Sequence, residues 1–507
     1  METTTRNAPE RKNVQGLILK GYTHPYSCHL LFQLPGSTQS PGSTPTELSQ
    51  QQTFFKALYS HVQSAEDWGV YKPVSMLNIG LTFNGISKLD PAIIRQQDLQ
   101  RFPVTFREGP ASGGSQQSLG DNAGKNNKSN PQNWWNGQGD AVTNNLDCIV
   151  HIYSLTEEDL EILIAYVLDA AKTNGLTEFI PLLPAIKNGR LYQSIVDKDP
   201  AKIHFGYTDG ISEPSLKPSE GTPSAESNNN FVIGYPQDAL TVPGPTGEDT
   251  ASIFAKDGCY NGFRVIHQDV AAFNRFLKNP TTDPAVMQQL QQLKLETSLE
   301  EWLAAKMCGR WRNGSPLMLS PDKPAHETSH EENFNYSVTD ASGHKDDITS
   351  SLRCPFSAHT RVANPRDQQM VAAEGTFVPR IVRRGVPYGP TMDDQVVVDD
   401  GQDRGLIGLF LCGDLAGQFE KIYGWMNNNN FSGKEIFSVR KPPQDALLGD
   451  KTAANSDAFP GTVTSFIIPV DANNKITIPT LPNFLVTRGT AYCLLPSMET
   501  LGRMAGV

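Results

Sequence analysis

Long apolar runs are missing from this sequence: no stretch of its 507 residues approaches the roughly 18 apolar positions that a membrane span requires. Paired cysteines are missing as well. Seven cysteines, at 28, 148, 259, 308, 354, 412 and 493, stand singly with no CxxC, which excludes a zinc ribbon or a dithiol redox motif and reads as buried thiols. Clustered positive charge is also scarce. A formal net charge of −11 excludes general binding to nucleic acid or to an anionic membrane and favours cationic partners. The opening METTTRNAPERKN carries no apolar segment of the kind a secretory signal needs, so the expectation is a cytoplasmic protein as written, or an extracellular one if a leader has been removed.

What is present describes a protein of mixed structure. The length of 507 residues favours two domains, and 42 Gly with 36 Pro indicates many turns. VQGLILKG at 14–21 reads as a strand, as do CHLLFQLP and MLNIGLTF. Apolar spacing between 47 and 68 predicts an amphipathic helix, and Gly, Ser, Asn and Gln between 108 and 145 predict a long loop around Trp134 and Trp135. A strand near DCIVHIY then leads into a helix that Thr156 and Asp159 cap and Gly175 ends. After His204 the grammar repeats. Strands are expected at FVIGY, at 260–266 and at GLIGLFLC, with helices at 268–277, 300–307 and 415–426, before a β-rich end. Two halves with one alternation suggest an α+β duplication of topology without a sequence repeat.

Three segments carry chemistry. In HFGYTDGISEP, Asp209 lies in a glycine-bounded loop, and by itself GYTDG reads as a turn whose carboxylate accepts local N–H bonds. In RCPFSAHTRVANPR, His359 is flanked by the small residues Ser357 and Ala358, which leave room for a flat ligand. In RRGVPYG, the pair Arg383 and Arg384 reads either as a solvated patch or as an inward-pointing permanent cation.

Together these segments resemble the dye-decolourising peroxidases. GYTDG matches the GxxDG signature of that family, HTRVANPR its proximal-histidine segment and RRGVPYG its distal-arginine segment. NVQGLIL, MLNIGLTFNGISKL, GRWRNGSPL, GLIGLFLCGDLAGQFE and GTAYCLLPS extend the similarity along nearly the whole chain in order. The resemblance implies two ferredoxin-like domains, 1–203 and 204–507, with antiparallel sheets, peripheral helices and haem between the sheet and helices of the second. It implies a peroxidase that reduces hydrogen peroxide and oxidises dyes, phenols and other aromatic reductants. His359 would be the proximal iron ligand, Asp209 the distal acid and base, and Arg383 the distal cation. Arg366 would meet a haem propionate. Asp414 would either hydrogen-bond His359 or cap the helix after it. With no CxxCH the haem would be haem b, held non-covalently.

Bulky dyes would be oxidised at the surface, with Tyr388 as the candidate for electron transfer. A carboxylate base in place of histidine implies activity that extends to acid pH. The acidic run MDDQVVVDDGQD reads as a solvated loop or as a site attracting Mn²⁺. The alternatives to a peroxidase are a haem-binding or haem-handling protein and a haem-dependent oxygenase.

Overall fold

Six elements of the first half run strand, helix, strand, strand, helix, strand: β1 (Tyr26–Gln33), α1 (Pro45–Tyr59), β2 (Ser75–Leu81), β3 (Cys148–Ser154), α2 (Glu157–Thr173) and β4 (Thr177–Phe179). In the sheet they lie in the order β2-β3-β1-β4, antiparallel throughout. This is the ferredoxin-like arrangement. The computed structural model describes residues 9–36, 43–121, 127–182, 187–195, 201–214, 216, 228–235, 244–339, 345–346, 352–364, 366, 379–428, 445–449, 465–471 and 473–507.

The second half repeats that order. Its elements are β5 (Cys259–Gln268), α3 (Val270–Lys278), α4 (Leu299–Cys308), α5 (His359–Ala363), β6 (Val382–Arg383), β7 (Val386–Tyr388), β8 (Gly405–Cys412), α6 (Lys421–Asn428), β9 (Leu485–Leu495) and α7 (Met498–Ala505). The principal strands lie as β7-β8-β5-β9, again antiparallel. One residue pair, Leu494 opposite Leu81, joins the two sets into a single sheet, and α7 packs back onto α1.

Alternation along the strands explains the layering. Leu30 and Phe32 of β1 join Phe54, Leu58, Leu160 and Leu163 from the covering helices. Leu31, one residue out of phase, instead meets Ile149, Phe263, Val265 and Leu409, so the two sets of strands share a core between their inner faces. A third core of Phe205, Tyr207, Phe273, Trp302 and Trp311 lies under the second half.

Local signals fix the helix ends. Thr44 accepts from Glu47 N and so starts α1 at Pro45, ahead of the expected position. Thr156 caps α2 as expected, and Gly175 after its end takes φ +74°.

Four expectations change. Residues within 14–21 form a short helix, Gly16–Leu19, because all four of its residues are buried and Gly16 lies against the Gln63 and Ser64 carbonyls. An apolar run buried on every side has no period that separates strand from helix. FVIGY forms turns instead of a strand. The stretch between 108 and 145 holds the short helices Gly113–Leu119, Trp134–Gly137 and Gly139–Asn145 and a 3-10 turn at Pro131–Asn133, with Trp134 and Trp135 fully buried. The helix expected at 415–426 divides into a π-helical turn, Leu415–Glu420, and α6.

Candidate active site

The loop that carries Asp209 is pinned before it reaches the carboxylate. Phe205 stacks on Phe273 with ring centroids 4.4 Å apart, and the Tyr207 hydroxyl donates to Ala304 O at 2.8 Å. Thr208 N donates to Arg312 O at 3.0 Å, and Asp209 N to Ala201 O at 3.0 Å. Gly206 and Gly210 take φ of +85° and +80°, which lets the chain turn sharply on both sides of the acid. Asp209 therefore stands on a rigid base while its side chain stays 37% exposed.

Arg383 reaches it from the edge strand β6. Its Nη1 lies 3.5 Å from Asp209 Oδ1, and its Nη2 donates to Ser212 Oγ at 3.2 Å. Glu213, which the sequence did not single out, closes the other side. Its carboxylate lies 3.5 Å from Arg383 Nε and 3.2 Å from Arg384 Nη1. Burial pushes the Glu213 carboxyl up, and the two arginines only partly oppose that. Arg384 turns away and donates from Nε to Leu17 O at 3.1 Å, so the arginine pair divides its work.

His359 opens α5 next to the buried Ala358 and Ser357. Its Nδ1 lies 2.8 Å from Oδ2 of Asp445, whose side chain is fully buried. Asp445 is held in turn, its Oδ1 accepting from Leu447 N at 2.9 Å and Leu448 N at 2.8 Å. A carboxylate only accepts, so the Nδ1 proton points to Asp445 and Nε2 is the ring nitrogen left for a ligand.

Asp445 thus takes the first of the two roles open to Asp414, the hydrogen bond to His359, and leaves Asp414 the second. Asp414 instead accepts from Ala416 N at 3.0 Å and caps the π-helical turn. Tyr388 departs from its expectation too: it is 1% exposed, and its hydroxyl donates to Asp403 at 3.1 Å, so it is no surface residue. Arg366 lies over Phe334 at 4.9 Å, and its Nε and Nη2 are buried without a hydrogen-bond partner among the described residues. Burial lowers its basicity.

Asp209, Arg383 and His359 line one cavity of about 260 Å³. Its other walls include Ile266, Leu406, Phe410, Ile422, Met426 and Leu447, which are apolar. The site is therefore an apolar chamber with an imidazole nitrogen, a carboxylate and a guanidinium. Such a set can bind a cation or a metal-centred ligand at the imidazole and move a proton beside a fixed positive charge.

The architecture around this cavity is the fold of the dye-decolourising peroxidases, and the chain resembles fungal members of that class. Peroxidase 2 of Mycetinis scorodonius is 30% identical over 320 residues, covering 59% of this chain and 55% of that protein. The alignable part therefore spans little more than half of that relative's length. The crystal structure of a fungal DyP-type peroxidase from Auricularia auricula-judae superposes with TM-score 0.71 at 20% identity, covering 99% of this chain and 100% of that one. A dye-decolorizing peroxidase in complex with 2,6-dimethoxyphenol superposes with TM-score 0.69 at 23% identity, covering 98% and 100% of the two chains. No family model matches the sequence.

Asp445 and Glu213 are the residues that sequence reasoning missed. Glu213 sits four residues after Asp209, inside the motif, where Glu-Pro reads as the end of a turn. Asp445 lies 86 residues beyond His359 in PQDALLGD, a segment with no periodic cue.

Proposed function

We propose that this chain is a haem peroxidase that reduces hydrogen peroxide and oxidises dyes, phenols and other aromatic reductants, with haem b held non-covalently. The observation that carries the proposal is the single cavity lined by His359, Asp209 and Arg383, with His359 fixed by Asp445. The residues present suit that cofactor. His359 Nε2 offers a lone pair to iron, the apolar walls suit a flat macrocycle, and the unpartnered nitrogens of Arg366 suit a propionate. When bound, the haem supplies the electrons that reduce peroxide and the oxidising power that reductants then consume.

The chain's own residues supply the proton handling. Asp209, ionised, takes a proton from hydrogen peroxide and returns it to the departing oxygen, so that water leaves. Arg383 stabilises the negative charge that builds on that oxygen, and its guanidinium remains charged at any working pH. Ser212 and Glu213 hold Arg383 in place for this task. Asp445 keeps the His359 proton on Nδ1 and raises the basicity of Nε2.

Phenols as reductants accord with the dimethoxyphenol bound by the structural relative. Mn²⁺ has weaker support. Within the acidic run, Asp393 and Asp399 accept from Gln395 N and Gly401 N, while Asp400 pairs with Arg404 at 2.6 Å, a pattern of turns in a solvated loop.

The test is rapid mixing of the haem-loaded protein with one equivalent of hydrogen peroxide while the Soret band is followed. A band that shifts within milliseconds and returns on adding a phenol supports the reading. No Soret band after purification with haem supplied, or a band indifferent to peroxide, overturns it.

A further inference from the structure

Helices with i→i+5 bonds are rare and occur mostly as single turns, often at functional sites. Leu415–Glu420, between β8 and α6, is such a turn. Phe419 fixes its seat. The ring is fully buried, stacks on Phe410 of β8 with centroids 5.2 Å apart, and lies over Gly262 of β5, where an added Cβ atom would come within 2.8 Å of it. The missing side chain at Gly262 thus makes room for the turn to settle against the sheet.

The neighbouring Gln418 is 1% exposed and uses both ends of its amide. Its Oε1 accepts from Asp414 N at 2.8 Å and closes the turn. Its Nε2 donates to Asn230 O at 3.1 Å and to Arg380 O at 2.7 Å. Gly413 N donates to the same Asn230 carbonyl at 3.2 Å. One buried side chain therefore joins the end of β8 to two other segments of the chain, and a buried amide that lost these partners would be costly.

Arg380 stands three residues before Arg383, and both line the cavity that holds Asp209 and His359. The strand that carries Arg383, β6, is two residues long and pairs with β8 through Val382 opposite Leu411 and Arg383 opposite Phe410. So short a ladder leaves the chain entering it to be held by other bonds, and Gln418 supplies one from the turn that continues β8. Ser212 and Glu213 hold the Arg383 guanidinium from the Asp209 loop, whereas Gln418 holds the backbone that delivers it.

We propose that Gln418 is a positioning residue for the reaction with peroxide: through Arg380 O it sets the entry of β6 and with it the place of the Arg383 guanidinium beside Asp209. This role rests on the peroxidase reading. Gln418 is not part of the cavity lining among the described residues, so it acts through the segment it holds. A charge that must meet a developing anion is sensitive to its support, since a displacement of about 1 Å caused from a distance can cost about 10²-fold in rate.

The experiment uses the full-length haem-loaded protein and reads two quantities: the rate of its reaction with hydrogen peroxide, and the affinity of the ferric protein for cyanide, followed at the Soret band without turnover. Gln418→Met keeps the length and burial of the side chain and removes the amide. It should lower each quantity by about tenfold or more. In an Arg383→Ala background the same substitution should change each by less than about twofold, because the group it positions is gone. Equal losses in the two backgrounds, or no loss in the wild-type background, overturn the inference alone. A wild-type protein with no Soret band, or with a band that neither peroxide nor cyanide moves, overturns the peroxidase reading and this role with it. Gln418→Glu, isosteric and unable when ionised to donate to Arg380 O, is read by the same criteria where Gln418→Met does not fold. Failure of both variants to fold would assign Gln418 to the fold alone and overturn its role at Arg383.

Discussion

Each half of the molecule has the same strand order, and two cation–carboxylate pairs, Lys88–Asp147 in the first and Arg383–Asp209 in the second, differ in what surrounds them. In the first half Lys88 Nζ lies 2.6 Å from Asp147 Oδ2, with side chains 4% and 0% exposed. In the second, Arg383 and Asp209 are 3.5 Å apart and more than a third exposed, 36% and 37%. Asp147 is saturated, since Leu34 N and Asn84 Nδ2 also donate to it. Asp209 accepts from its own neighbour, Gly210 N, and otherwise faces a cavity. One topology thus serves a sealed charge pair that anchors a sheet and an open one that can act on a ligand.

The sharpest way to break that contrast is at the cavity's histidine. His359→Ala should abolish retention of haem, seen as loss of the Soret band after gel filtration, while the circular dichroism of the fold stays unchanged. A Soret band retained at wild-type stoichiometry would put the iron ligand elsewhere. Next in size, Asp209→Asn should slow the reaction with peroxide by about 10²–10⁴-fold, as loss of a positioned acid and base does. Stopped-flow absorbance measures this, and a rate within a few-fold of wild type would reduce the open pair to a structural one.

Asp445→Asn tests the support behind His359. Outer partners of metal ligands typically contribute about 10–100-fold in affinity or activity. Faster haem transfer to apomyoglobin in that range is the expected outcome, and an unchanged rate would leave Asp445 as a loop anchor.

The sealed pair should answer in stability and not in chemistry. Lys88→Met strands a buried carboxylate and should cost about 3–5 kcal/mol at neutral pH, read from urea midpoints, with the peroxide reaction unaltered in the folded fraction. Burial pushes the Asp147 carboxyl up to about 6 although Lys88 opposes it. A folded-state value raised above the unfolded one means that the stability from this group is full below about pH 4 and is lost as pH rises through about 6. Asp147→Asn should flatten that part of the stability curve. A slope that persists in the variant would assign it to another group.

The sequence exposed the open pair better than the closed one. Asp209, His359 and Arg383 are singled out by the resemblance of three short segments taken together, since alone GYTDG reads as a turn and Arg383–Arg384 as a solvated patch or an inward cation. Asp445 and Glu213 act through distances across the chain, and no local pattern encodes a partner 86 or 170 residues away. Asp414 reads as a partner or as a cap with equal reason, because an aspartate before a helix satisfies both descriptions and only the folded chain chooses between them. Tyr388 reads as a surface electron carrier because nothing near it in sequence shows that Asp403 takes its hydroxyl inside. In the fold, strands with clear alternation such as β1 and β8 were legible. The segment at Gly16–Leu19 was not, since burial on all sides erases the periodicity on which such readings depend.

The joint between the halves bears on how the protein is made. β9 is the strand of the second set that touches the first, through Leu494 and Leu81, and it pairs along β5 from Leu485 to Leu495. Both strand sets except β9 itself must leave the ribosome before that strand exists. The first set of strands can close early, during synthesis, while one edge of β5 waits uncovered for the later-made β9. A nascent chain is thus most open to aggregation, and most in need of a chaperone, in the interval between β8 and β9.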